Sequence, residues 1–98
     1  MLNQTVLVGR IYNNEEEGYI TIAVPRSFKN EEGIYETDYI KCKVMGQVEK
    51  NTKEWTKKGD IIGIKGRLQE EEGILYVMAE KVTFLSSKKE KENEIRDE

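Results

Sequence analysis

The stretch YETDYIKCKVM, residues 35–45, carries the side chains best suited to chemistry. On an extended strand alternate side chains share a face, so Tyr35, Thr37, Tyr39, Lys41, Lys43 and Met45 lie together. Ile40, Cys42 and Val44 point the other way, into a core. The first face interleaves rings with ammonium groups, which is what an unpaired strand of nucleic acid requires. Bases stack on aromatic faces, at about 1–3 kcal/mol per base. Lysines between them meet phosphates and release counterions. The competing reading is an exposed strand face with ordinary cross-strand Tyr–Lys pairs.

Two further segments extend the pattern. In PRSFKN, Phe28 sits in a polar stretch between Arg26 and Lys29, where it either folds back on the core or faces a ligand. In GIKGRLQ, Lys65 and Arg67 share a face, and Gly63 and Gly66 leave room for a close backbone approach. Trp55 invites stacking too, but its place on an apolar helix stripe reads as core.

Other chemistries are short of reagents. The chain has no histidine and one cysteine, Cys42. Histidine triads, histidine metal sites and thiolate clusters are therefore excluded, and no enzyme, metal or cofactor is expected. The one cysteine allows no internal disulfide and fits a cytoplasmic setting. No apolar run is long enough to span a membrane, and MLNQTVLVGR lacks the features of a signal peptide.

Alternation and punctuation give the elements that must hold these residues. TVLVGRIY is a first strand, its Gly9 marking a bulge or bend. YITIAV is a second, placing Ile20, Ile22 and Val24 on one face. Pro25 then ends regular pairing or confines it to an edge. The third runs from Ile34 to Gly46. In GQVEKNTKEWTKKGD the period changes: Val48, Thr52 and Trp55 form one face of a short helix, ending with Lys57 and Lys58 in its last turn and Gly59 just beyond. DIIGIKGRLQ and GILYVMAEKVTFL complete five strands. Three strands, a helix and two strands is the order of the oligonucleotide-binding (OB) fold, an all-β Greek-key barrel with one short helix. An open α+β sandwich is the alternative. The 98 residues read as one such domain over 1–86, with a charged, solvated tail over 87–98.

Three acidic phrases, EEEGYI, EEGIY and EEEGILY, fall between strands one and two, two and three, and four and five. They read as turns in which Gly18, Gly33 and Gly73 take positive φ; a carboxylate metal site would need converging rather than diverging side chains. The net charge of −3 then misleads. Residues 1–86 hold 12 basic and 14 acidic groups, and 8 of those acids lie in the turns, leaving 6 elsewhere. A locally basic groove is expected, with its carboxylates set apart at the corners.

MLNQTVLVGR, TIAVPRSFKN, TDYIKCKVMG, KKGDIIGIKGRLQ and MAEKVTFL, in that order, resemble the bacterial single-stranded DNA-binding protein family over about residues 1–86. The resemblance implies an OB-fold homo-oligomer, usually a homotetramer though a dimer is also open, that coats single-stranded DNA in replication, repair and recombination without sequence preference. It places stacking positions at Phe28, Tyr39 and, more weakly, Met45. It places basic positions at Arg10, Arg26 and the lysines of strands three and four, namely Lys41, Lys43 and Lys65. Three departures stand out. The first connection is only a short acidic turn. The hairpin between strands four and five is cut to EEEG, which implies less DNA wrapping. The chain ends NEIRDE rather than in an acidic Pro-Phe tip, so recruitment of replication proteins by that route is not expected. A compact phage or mobile-element variant fits these departures. A primosomal accessory OB protein acting through protein contacts, and an RNA-binding OB domain, are the alternative readings.

Overall fold

A computed structural model describes residues 1–86; the tail reading over 87–98 lies outside the described residues. The elements are β1 (Thr5–Asn13), β2 (Tyr19–Lys29), β3 (Tyr35–Lys43), α1 (Gly46–Trp55), β4 (Ile61–Glu71) and β5 (Ile74–Ser86). The strands close into a barrel in the order β1-β2-β3-β5-β4. Every pairing is antiparallel except β3 with β5, which meet in parallel at Cys42↔Val77 and Lys43↔Met78. Within the barrel, closure removes open sheet edges, while the far ends of β2 and β3 extend past it.

Alternation fills the interior. Ile11, Ile20, Ile22, Cys42, Val44, Ile62, Ile64, Val77 and Ala79 form the core, with Leu7, Val24, Ile40, Val48 and Val82 packed against it. Two strand glycines permit close contact. A Cβ at Gly9 would stand 2.6 Å from the Ala23 carbonyl oxygen, and one at Gly66 2.0 Å from that of Met78. The room at Gly66 is thus taken by the chain's own β5, beside a register shift between Lys65 and Gly66.

Several boundaries differ from the sequence expectation. β2 does not stop at Pro25: it runs to Lys29, so Phe28 is a strand residue. Pro25 does lie on an edge, because β1 pairs with β2 only as far as Ala23, while β2 and β3 continue together as a two-stranded ribbon. β3 ends at Lys43, and Gly46 is already helical. The helix stops at Trp55, before Lys57 and Lys58. A buried Asp60 closes the 57–60 turn instead, its carboxylate accepting the Lys57 amide at 3.0 Å. Thr52 is buried as expected, but Trp55 is 74% exposed and belongs to the surface. It is the last helical residue, and the chain turns away before anything can cover it.

Gly18, Gly33 and Gly73 have φ of 81°, 79° and 82°, as turns between these strands require. The last hairpin is tighter than its acidic phrase suggests. Glu70 and Glu71 remain in β4, and only Glu72 (φ 53°) and Gly73 form the loop, the two positive φ values marking a type I′ turn.

Candidate nucleic-acid interface

The outward face of the β2–β3 ribbon pairs Tyr19 with Lys43, Thr21 with Lys41 and Ala23 with Tyr39. Side chains on both strands therefore lie in one strip along the barrel wall. At its centre Tyr39 is 60% exposed. The Tyr12 ring of β1 lies against it, centroids 4.7 Å apart.

At one end of the strip Tyr19 meets Tyr76 of β5, with centroids 5.9 Å apart. Two lysines stand over these rings: Lys41 Nζ is 4.9 Å from the Tyr19 centroid, and Lys43 Nζ is 5.2 Å from that of Tyr76. At the other end Lys29 stands 5.7 Å from the Tyr35 ring, with Phe28 exposed beside it. A groove of about 630 Å³ joins centre to end. Tyr39, Lys41 and Tyr76 flank it, and Leu68, Ile74 and Leu75 of the β4–β5 hairpin supply its apolar wall.

Lys29, Tyr39, Lys41 and Lys43 lie along this strip, and Phe28 is exposed next to Lys29 at the end of β2. Met45, exposed at the start of α1, continues it past the end of β3. The remaining candidates lie elsewhere. Arg26 is held by Asp38 and Glu36, at 2.9 and 2.7 Å. Those acids occupy the even positions of β3, so Arg26 lies on the opposite side of the ribbon from Tyr39. Arg10 donates to the Gly59 carbonyl at 2.8 Å, tying β1 to the turn before β4. Lys65 and Arg67 are on β4, which pairs with β1 and β5 and with neither β2 nor β3; Arg67 pairs with Glu80 at 2.6 Å.

The expectation that the turn carboxylates stand apart from the basic groups needs correction. Glu16 reaches back to Lys41 at 3.1 Å, and Glu71 binds Lys43 directly. The Lys43 hydrogen bond, and then that of Gln69, hold the Glu71 carboxyl below its usual range; the same contact raises Lys43. Among the described residues, Lys29 and Lys65 are the two of the seven basic candidates whose side chains make neither an ion pair nor a hydrogen bond. Tyr12, Tyr19 and Tyr76 are aromatics of this strip that the strand reading missed. The parity of Tyr19 with Tyr39, and of Tyr12 with Arg10, carried a signal for two of them.

The barrel and its aromatic strip can be set beside known proteins. Residues 2–85 match the model of the single-strand binding protein family. The chain belongs to that family. It is 36% identical to single-stranded DNA-binding protein B of Bacillus subtilis, over 90% of this chain and 94% of that one. It is 40% identical to single-stranded DNA-binding protein 1 of Streptococcus agalactiae over 70% of this chain, spanning 48% of that longer relative. The mitochondrial single-stranded DNA-binding protein Rim1 of S. cerevisiae superposes with a TM-score of 0.70, over 89% of this chain and 98% of that one, at 17% identity. At that identity the likeness establishes the OB barrel.

Proposed function

We propose that this family member binds single-stranded DNA without sequence preference, protecting it during replication, recombination or repair. The observation that carries the reading is the exposed Tyr39, braced by Tyr12 and flanked on its own strand by Lys41 and Lys43. A flat ring beside cations offers every base the same π-face and every phosphate the same charge, which gives affinity without sequence readout. Tyr39 and Phe28 stack bases and Met45 packs against a third. Lys29, Lys41 and Lys43 meet the backbone between them, while Arg10, Arg26, Lys65 and Arg67 contribute to the wider field. A homo-oligomer, tetramer or dimer, would join such strips into a longer track.

Anisotropy titration with labelled oligo-dT tests the site. Removing a stacking ring forfeits roughly 1–3 kcal/mol per base. Tyr39→Ala and Phe28→Ala should each weaken binding about 5- to 150-fold while leaving the melting midpoint near that of the parent protein. Unchanged affinity in both variants refutes the assignment. A matched oligo-rU competitor distinguishes DNA from RNA, and light scattering gives the assembly state.

A further inference from the structure

The Tyr19–Tyr76 end of the strip has the parts of a nucleotide site and a carboxylate on each of its cations. Lys43 Nζ lies 5.9 Å from the Tyr19 ring and 5.2 Å from the Tyr76 ring, and it is bound to Glu71. Lys41 Nζ lies 4.9 Å from the Tyr19 ring, and Glu16 approaches it with both oxygens at 3.1 Å. We propose that Tyr19, Tyr76, Lys41 and Lys43 form a second nucleotide-docking platform, on which Glu16 and Glu71 are internal counter-anions that a DNA phosphate displaces. This rests on the single-stranded DNA reading and adds a regulated subsite to it.

The placement of the two acids suits exchange. Glu71 is the last residue of β4, next to a two-residue loop, and Glu16 lies in the β1–β2 turn. Neither side chain belongs to the core, so both can swing away while the barrel stays intact. Lys53 donates to the Glu16 carbonyl at 2.5 Å, which steadies the backbone of that turn while leaving the carboxylate free to move. Gln69 donates to Glu71 at 2.7 Å and holds the carboxylate over Lys43 when no nucleic acid is present. The Glu71 side chain is 37% exposed and that of Lys43 21%, so the carboxylate is the half of this part-buried pair that water reaches and can draw away. A phosphate that replaces a carboxylate preserves the charge on the lysine while its base settles against Tyr19 or Tyr76.

This exchange leaves a mark in salt. A lysine that neutralises a phosphate releases about 0.7 of a counterion from a single strand. A carboxylate freed at the same moment recovers a cation, so the parent protein should show a shallower salt dependence than its phosphate contacts imply. Glu71→Gln removes that compensation. Glu70→Gln is the control: it removes the same charge one residue earlier, on the opposite side of the hairpin.

The test is oligo-dT titration of both variants between 50 mM and 1 M salt. Glu71→Gln should steepen the log–log slope, by at most about 0.7, and bind roughly three- to tenfold tighter at 50 mM. Glu70→Gln should stay within about twofold of the parent, with an unchanged slope, because its charge bears on no phosphate contact. The gain should vanish when Lys43→Gln is added, and Glu16→Gln should repeat the effect through Lys41. Equal behaviour of Glu71→Gln and Glu70→Gln, or a gain that survives Lys43→Gln, overturns the proposal while leaving DNA binding intact. Absence of any binding by the parent chain overturns the reading beneath it as well.

Discussion

The ring of Tyr12 on β1 packs 4.7 Å from that of Tyr39 on β3, tilted by 58°, although β2 lies between the two strands. The intervening positions explain the reach. Ala23 pairs with Arg10 on one side and Tyr39 on the other, while Thr21 pairs with Asn13 and Lys41. Both are small, and Tyr12 sits in the register shift between Ile11 and Asn13, which turns it toward β3. The pair keeps Tyr39 upright and exposed.

A double-mutant cycle follows from this geometry. Aromatic pairs contribute about 0.5–1.5 kcal/mol beyond their buried area. Tyr12→Ala should weaken oligo-dT binding by less than Tyr39→Ala does, and the double variant should lose less than the two added together. Strict additivity would mean that Tyr12 does not brace its neighbour.

The strands and their turns were legible because glycine and alternation are local signals. Gly18, Gly33 and Gly73 mark positive φ, and the odd positions of β3 share a face whatever the rest of the chain does. Trp55 was misread because the i, i+4, i+7 stripe holding Val48 and Thr52 says nothing about where a helix runs out of neighbours. Alternation put Lys41 and Lys43 on the Tyr39 face, but it gave no sign of the carboxylates over them. Those partners lie 25 and 28 residues away in sequence, and no local pattern reports such a distance.

Acid should loosen the contact between α1 and the β1–β2 turn. Glu49 accepts hydrogen bonds from Lys53 at 3.0 Å and from the Gly18 amide at 2.5 Å, and these hold its carboxyl below the ordinary value of 4.5. A pKa depressed by folding adds stability above the unfolded value, and that stability is lost as pH falls below it. Glu49→Gln should therefore melt lower than the parent at pH 7, with the difference narrowing toward pH 3. A gap that stays constant across thermal melts in this range would show that the ionised carboxylate is not responsible.

Cys42 offers a test of the barrel interior. Its side chain is fully buried, and desolvation pushes the thiol up to about 12 from 9.0. At pH 8 the native protein should not react with Ellman's reagent, whereas urea should release one equivalent, because only the thiolate attacks. The sign with pH follows. The raised pKa adds stability that is complete below 9.0 and is lost as pH climbs toward 12, where the unfolded chain ionises first. Cys42→Ala should remove that alkaline component. Prompt labelling of folded protein at pH 8 would place Cys42 outside the core.

Two glycines three residues apart on β4 face opposite consequences. At Gly66 an added Cβ would lie 2.0 Å from the Met78 carbonyl oxygen and 3.2 Å from the Ala79 Cα, both backbone atoms that cannot rotate away. At Gly63 the nearest atoms are the Leu85 Cδ1 at 3.6 Å and the Leu7 carbonyl oxygen at 3.9 Å, which is ordinary contact. Gly66→Ala must therefore separate β4 from β5 at their register shift, with a loss of about 3 kcal/mol, the upper end for overpacking. Gly63→Ala meets no such obstacle and restricts the unfolded chain, so its stability should change by no more than about 1 kcal/mol in either direction. Urea denaturation of the two variants side by side makes the comparison. If Gly66→Ala unfolds at the same midpoint as Gly63→Ala, β4 and β5 do not approach as closely there as this barrel requires, and the hairpin carrying Glu71 and Tyr76 would be placed differently against β3.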